Sequence, residues 1–435
     1  MSLREIATRS GDVPPSDRPQ LPRIEQFKGA ILGCAIGDCV GAWAEARPSH
    51  EARKFAETNL RDCDFSETGK HHHGMTFGQY TDDTQLTREL MLSLIDEGDW
   101  NPEDFADRIA RIFAREGVVG YGGATMQAAV KLIDGGSWKE SGTPPPRAGN
   151  GAAMRASPMG LLFWNDVDGL VVSTMEQAVI THKAPMSVAA AVAVAAATAM
   201  CLNASKSTSG PHEPGWWQWL ARFVERCDKD YAEDIRTLTD MVFNGRKGED
   251  RCAPGDAAER RTVAKWVLKD DDPRWSGVSP WARTSVLWSL YCLMAYPKDF
   301  WQAIELAVWV GGDSDTIAAM AGAMVGAHVG IDKFPEKVME EVVPLIHDAK
   351  AEQYDWPGLE KLVEHLYGVV ERRYEEDAKV VPLFLSEASE VPEDVQSLIQ
   401  HEPDPPAVES EPEPVELDEE DEENVSDILS MFGRD

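Results

Sequence analysis

Positive charge is what this sequence has least of: 42 Lys and Arg stand against 75 Asp and Glu among 435 residues, a formal net charge of −33. Nonspecific binding to nucleic acid or to an anionic membrane needs a basic footprint, and the deficit argues against both. Paired cysteines are missing as well. Cys34, Cys39, Cys63, Cys201, Cys227, Cys252 and Cys292 are odd in number, scattered, and nowhere spaced as a zinc or redox pair. That pattern reads as reduced thiols and makes the cytoplasm the expected compartment. The polar, proline-containing start from Met1 to Pro22 has no apolar core of the kind a signal peptide carries. The longest apolar runs, Val188 to Leu202 and Ile317 to Ile331, fall short of a membrane span and are rich in Ala and Gly, which suits helices buried on all sides. No membrane association is expected.

Strand signals are scarce too. Alternating Val, Ile, Thr and Tyr runs are few, while Ala-rich segments with helical spacing recur from end to end, so the pattern predicts an all-α protein. Helices are expected over roughly 24–44, 84–97, 102–115, 123–134, 152–164, 173–180, 186–202, 215–226, 230–242, 259–269, 281–295, 299–310, 316–330, 335–348 and 357–375. Gly322, Gly326 and Gly330 recur every four residues, which would let a neighbouring backbone approach closely.

Composition sets off a flexible N-terminus (1–22) and a tail (377–435) from the body of the chain (23–376). Within the body, residues 203–281 gain Trp, Pro and charge and read as a variable helical insert. The tail is rich in Glu, Pro and Ser and cannot bury enough apolar surface to fold alone, so it is expected to be disordered. Residues 401–435 carry fourteen carboxylates against one arginine, which leaves about −20 on the rest of the chain. Behind the acidic run from Glu416 to Glu423 lies a short apolar motif at 425–432. One reading of it is chance hydrophobicity; another is a partner-docking helix with Ile428, Leu429 and Phe432 on one face.

Two carboxylate-rich turns stand far apart: Tyr80-Thr81-Asp82-Asp83-Thr84 and Gly311-Gly312-Asp313-Ser314-Asp315-Thr316. Each opens an apolar helical segment. A hard divalent cation prefers several oxygen ligands, which clustered Asp and Thr provide without the thiolates that favour zinc. Either turn taken singly reads equally as an N-cap, since Thr and Asp satisfy orphan helix amides and suit the positive end of the dipole.

The sequence around the turns resembles the ADP-ribosylglycohydrolases. Gly29-Ala30-Ile31-Leu32-Gly33-Cys34-Ala35-Ile36-Gly37-Asp38-Cys39-Val40-Gly41 followed by Glu45, the Thr-Asp-Asp-Thr turn, Gly-Asn-Gly-Ala-Ala-Met-Arg at 149–155, Thr181-His182 and Gly-Gly-Asp-Ser-Asp-Thr occur in that family's order. The resemblance spans about residues 24–368. It implies a compact orthogonal bundle of helices around a binuclear metal cleft. It also implies hydrolysis, dependent on two divalent cations (Mg2+ or Mn2+), of an N- or O-glycosidic bond at the distal ribose of an ADP-ribosylated protein or small molecule. The alternative is a catalytically idle relative that binds ADP-ribose or blocks a transferase.

By position, the resemblance makes Thr81, Asp82, Asp83, Asp313, Asp315 and Thr316 the metal ligands, with Glu45, Asp82 and Asp315 catalytic. Glu45 would orient or deprotonate the attacking water, or coordinate an ion. Gly122, Gly123, Gly149, Asn150, Gly151 and His182 would bind substrate: glycines at a helix start present amides to a diphosphate, and His182 would face the substrate. Asp38 is expected to hydrogen-bond a neighbouring turn rather than touch metal. Arg155 is expected either to bind an anion or to sit in an internal ion pair. His71-His72-His73 reads as a polar loop. Pro145-Pro146-Arg147-Ala148 replaces the aromatic that serves the adenosine side in the vertebrate poly- and serine-linked ADP-ribose hydrolase, so Tyr121 or a Trp of the insert would have to stack the base.

Overall fold

The structure is a computed structural model in which residues 19–65, 74–204, 210–243, 255–376 and 390–400 are described. Among them there is no named strand, only isolated bridges, and the protein is all-α. The N-terminal half holds α1 (Ile24–Gly41), α2 (Ser49–Phe55), α3 (Asp82–Glu97), α4 (Pro102–Arg111), α5 (Gly123–Ile133), α6 (Trp138–Ser141), α7 (Ser157–Leu162), α8 (Val167–Val179) and α9 (Pro185–Ala204). The rest holds α10 (Pro214–Val224), α11 (Lys229–Phe243), α12 (Ala257–Val267), α13 (Ala282–Ala295), α14 (Phe300–Trp309), α15 (Ser314–Val329), α16 (Glu336–Glu341), α17 (Trp356–Glu376) and α18 (Glu393–Gln396). The triple histidine, the N-terminal residues 1–18 and the motif at 425–432 lie outside the described residues.

Local chemistry sets several of the helix starts. Asn101 accepts from the amides of Glu103 and Asp104, with Pro102 in the first turn of α4. Asp166, Asp256 and Asp299 cap α8, α12 and α14 in the same way, each filling an orphan donor. The Asp166 cap starts α8 six residues earlier than the sequence pattern suggests. Conversely, residues 150–154 form a turn, with the amides of Ala153 and Met154 both bonded to the Asn150 carbonyl, and α7 begins only at Ser157 ahead of Pro158. The helix expected over 335–348 ends at Glu341 and passes into a 3-10 turn, Val343–Leu345, because Pro344 cannot donate within a helix.

The centre is an antiparallel pair, α1 and α15, joined backbone to backbone. A methyl group added to Gly29, Gly33, Gly37 or Gly41 would lie 2.4, 2.2, 2.0 and 2.4 Å from the carbonyl oxygens of Gly326, Gly322, Ala318 and Ser314. Only hydrogen fits at these crossings. The four-residue spacing of Gly322 and Gly326 therefore serves close approach, as expected. Gly330 differs, because it follows α15 with φ 87°, a left-handed geometry suited to glycine. Both helices are covered nearly all round, α15 by α9, α13 and α14 as well. Burial on every face explains why they lack an apolar stripe.

α9, at 20 residues, is long and apolar enough to cross a membrane, but 89% of its most apolar window is buried inside the protein. It packs against α7, α8, α10 and α15. The described cysteines, all except Cys252, are free thiols and buried. One part of the tail is described: α18 and its flanks dock on α8, with Val395 and Ile399 each 5% exposed and the Gln400 amide donating to the Lys183 carbonyl.

Candidate metal and substrate site

The α1–α15 pairing brings together the two carboxylate turns, since Asp38 lies near the end of α1 and Asp313 at the start of α15. Asp38 is fully buried and accepts from the Thr81 amide (2.9 Å), the Thr81 hydroxyl (2.9 Å), the Thr84 amide (3.0 Å) and the Thr84 hydroxyl (2.6 Å). It organises the first turn of α3, in keeping with the expectation from sequence. Those bonds change the meaning of the turn. Thr81 and Asp313 occupy the N-cap positions of α3 and α15, yet neither side chain makes a capping bond. The amides are satisfied otherwise: Asp82 donates to the Val119 carbonyl (2.8 Å) and Asp313 to the Val278 carbonyl (2.8 Å). Asp82, Asp83 and Asp313 are thereby left free of capping, and only Asp315 still takes a helix-start amide, that of Thr316 at 2.8 Å.

The released groups converge. Oxygens of Glu45, Asp313 and Asp315 all lie within 4.8 Å of one another. Asp83 joins from α3, where its Oδ2 accepts from the Thr316 hydroxyl at 3.3 Å and lies 3.3 Å from the Thr81 hydroxyl, whose proton goes to the nearer Asp38. Its Oδ1 is buried with no protein partner, an arrangement that is costly unless a cation or water completes it. Asp82 faces the same group and feels the charges of Asp38, Glu45 and Asp313. Burial pushes the carboxyls of Asp82, Asp83 and Asp315 well above the usual range, and neighbouring carboxylates push further. Burial and then Glu45 raise Asp313 to about 7, while burial raises Asp38 to about 6 despite its four donors. An all-oxygen donor set holding like charges out of water suits a hard divalent ion, which would remove both penalties. The residues fit such an ion.

Glu45 reaches the group from the turn after α1. That turn is pinned by the Ala46 amide donating to the Gly312 carbonyl (2.9 Å), with Ala46 held at φ 52°. Gly311 and Gly312 both have positive φ, and a methyl on Gly312 would sit 1.9 Å from the Val278 carbonyl oxygen. The end of the supposed insert is thus part of the site. Pro280 accepts from the Asn150 amide (3.0 Å), Ala282 donates to Ala148 (2.9 Å), and Trp281 bridges Gly149. Gly277, at φ 137°, lies against the same strip of backbone: a methyl there would sit 2.3 Å from the Gly311 carbonyl carbon.

Among the expected substrate residues, Asn150 donates from Nδ2 to Asp313 Oδ2 (2.5 Å) and to the Ser285 hydroxyl (3.1 Å), tying the 149–151 loop to the carboxylates. His182 packs against that loop: a methyl on Gly149 would lie 3.1 Å from Nε2, and one on Gly151 2.9 Å from Cε1 and 3.0 Å from the Thr125 hydroxyl. Gly122 and Gly123 begin α5 exposed and with open space around them. Gly120 makes the closer approach, facing Thr81 and Asp82 Oδ1. Arg155 is neither a cleft anion-binder nor part of an ion pair. It is fully buried and donates to four neutral oxygens: Gln177 Oε1 (3.0 Å), the Gln177 carbonyl (3.1 Å), the Gly151 carbonyl (3.0 Å) and Thr181 Oγ1 (2.7 Å).

Comparison with known proteins decides the family, because the ADP-ribosylglycohydrolase model matches residues 19–376 and so covers the two turns, the glycine loop and His182 together. The chain belongs to the ADP-ribosylglycohydrolase family. It is accordingly a glycosidase-type hydrolase. Mouse ADP-ribosylhydrolase ARH3 is 25% identical over 72% of this chain and 86% of its own length. ADP-ribosylarginine hydrolase Tri1 of Pseudomonas putida is 24% identical over 79% of this chain and 82% of its own. An uncharacterized protein of Archaeoglobus fulgidus is 29% identical over 70% and 87%. A solved ADP-ribosylglycohydrolase-related protein complex shares the fold with a TM-score of 0.52 and 23% identity, over 80% of this chain and 99% of that one.

Proposed function

We propose that this glycohydrolase removes ADP-ribose from modified protein side chains or related conjugates, cleaving the N- or O-glycosidic bond at the distal ribose and so reversing ADP-ribosylation. One observation carries the reading: Asp313 and Asp315 of one helix start converge with Glu45, and Thr316 ties to them Asp83 of the other start, far away in sequence, whose buried Oδ1 has no protein partner. Thr81, Asp82, Asp83, Asp313, Asp315 and Thr316 would hold two divalent cations, Mg2+ or Mn2+. When bound, such ions supply Lewis acidity toward oxygen and neutralise the carboxylates.

The chain's own groups divide the remaining work. Asn150 and the amides of the 149–151 loop bind the ribose and diphosphate, with the exposed start of α5 at Gly122 and Gly123 adding amide donors. Asp82 and Asp315 orient the distal ribose and the attacking water. Glu45 takes the proton from that water as its oxygen bonds to the anomeric carbon. The C–N or C–O bond to the side chain breaks with its electron pair going to the leaving atom, which then receives the proton held at Glu45.

The test is a panel of defined substrates, linked through Arg, Ser, ADP-ribose or a nucleic-acid base, assayed with Mg2+, Mn2+ and chelator. We expect ion-dependent release of ADP-ribose from at least one linkage, and its loss in Asp313→Ala and Asp315→Ala with the helical fold retained. No release from any member by wild type with either ion would overturn the assignment, as would near-normal activity in both variants. For the acidic tail we propose a partner with a basic face, tested by a pull-down comparing full-length protein with a chain ending at Gln400.

A further inference from the structure

Arg155, Gln177, Thr181 and His182 form one buried chain of hydrogen bonds behind the glycine loop. Arg155 donates from Nη2 to Thr181 Oγ1 at 2.7 Å, and Thr181 Oγ1 lies 2.8 Å from His182 Nδ1. A threonine hydroxyl has one proton, and Arg155 can only donate. Thr181 is completely buried, and its hydroxyl makes no further bond. The proton of Thr181 therefore has a single acceptor within reach, the unprotonated Nδ1 of His182. In a neutral imidazole the other nitrogen, Nε2, must then carry hydrogen. The ring is neutral, because burial and the nearby Arg155 charge pull its pKa down to about 3.

Arg155 is itself locked. Gln177 accepts from Nε at 3.0 Å while its own Nε2 donates to the Ala152 carbonyl at 3.0 Å, and the Gly151 carbonyl accepts from Nη1. The guanidinium also stacks over Phe105, 5.4 Å from the ring centroid. Burial pulls its pKa down to about 9, which still leaves it protonated at neutral pH. The same cation thus holds both the loop that lines the pocket and the histidine that faces it.

We infer that Arg155 and Thr181 are positioning residues that fix His182 as a neutral Nε2–H donor aimed into the 149–151 loop, where it donates to an oxygen of the ADP-ribosyl group. No described protein group accepts from Nε2, so that donor is kept for ligand. The substrate half of this inference rests on the proposed function; the tautomer half does not.

The experiment reads the 15N shifts of His182 in ligand-free protein, assigned by their absence in His182→Asn, together with calorimetric binding of ADP-ribose in the presence of Mg2+. Wild type and Thr181→Ser should show a pyridine-type Nδ1 and a pyrrole-type Nε2. Thr181→Val should lose that preference and bind ADP-ribose about tenfold more weakly, the scale of one neutral hydrogen bond. Thr181→Ser should restore both, which a purely structural role of the methyl group would not do. A pyrrole-type Nδ1 in wild type overturns the inference even if the valine variant fails to fold. Unchanged tautomer and affinity in Thr181→Val overturn it as well. Wild type with the Nε2–H form that binds no ADP-ribose supports the relay and removes the substrate reading, so the two failures are distinguishable.

Discussion

Gly37→Ala, one residue before Asp38, probes the central helix pair most directly. Two effects of opposite sign compete there. Alanine is favoured over glycine inside a helix by about 1 kcal/mol. The added carbon, however, would sit 2.0 Å from the Ala318 carbonyl oxygen and 2.3 Å from its carbon, whereas van der Waals contact needs about 3.5 Å. Both atoms belong to the backbone of a fully buried helix, so neither can rotate away. α1 and α15 would have to part by about 1 Å, and overpacking of that kind costs about 1–3 kcal/mol, more where the backbone must move. Separation also pulls Asp38 from the four donors of Thr81 and Thr84, charge-assisted bonds worth about 1.5–3 kcal/mol each when broken singly. We expect a net destabilisation of about 3 kcal/mol, followed by far-UV circular dichroism in urea. Gly368→Ala in α17 is the internal control: its nearest neighbour would be Arg372 Nη1 at 3.8 Å, so the same substitution should stabilise by about 0.5–1 kcal/mol. If Gly37→Ala were as stable as wild type, the backbone-to-backbone pairing of α1 and α15 would be wrong.

Three further outcomes are expected. Asp38→Asn turns an acceptor of four bonds into a group that faces buried donors with an NH2; it should destabilise the protein by about 1–3 kcal/mol and erase the rise in melting temperature caused by Mn2+, and a retained ion response would show that Asp38 does not hold the Thr81–Asp83 turn. Asp38 and Asp313 have folded pKa values raised to about 6 and 7 against about 4 unfolded, so the ion-free protein binds extra protons in that window. Their contribution is full below about pH 4 and lost as pH rises through about 6 and 7; the melting-temperature gain from added Mg2+ should therefore grow from about pH 5 to about pH 8, and a gain that does not change with pH would contradict it. Ending the chain after Gln400 should leave stability and hydrolysis of a small substrate unchanged, whereas ending it after Glu376 uncovers the contacts of Val395 and Ile399 and should cost about 2–4 kcal/mol by chemical denaturation; equal stability of the two truncations would show that the docked segment contributes nothing.

The sequence by itself determined the class of fold and the chemical character of the site. Helical periodicity is local, so an all-α protein could be read from windows of about a dozen residues, and the Asp and Thr of two turns stated their preference for a hard cation wherever they came to lie. The place of Asp38 was legible too, because a carboxylate inside an apolar helix needs nearby donors. What only the tertiary structure decided concerns residues that are strangers in sequence. Gly37 and Ala318 meet because α1 and α15 run antiparallel, and no local pattern says which glycine row faces which. The backbone from Val278 to Pro280 looked like the end of an insert, yet it supplies acceptors to Asp313 and Asn150. Arg155 was open between anion-binder and ion pair, and the fold gave it four neutral oxygens instead. Residues 390–400 cannot form a core of their own, but Val395 and Ile399 are buried once α8 provides the other surface. Hydrogen-bond partners and burial are properties of pairs, and the pairs that build this site, such as Asn150 with Asp313 or Ser314 with Gly41, lie 163 and 273 residues apart.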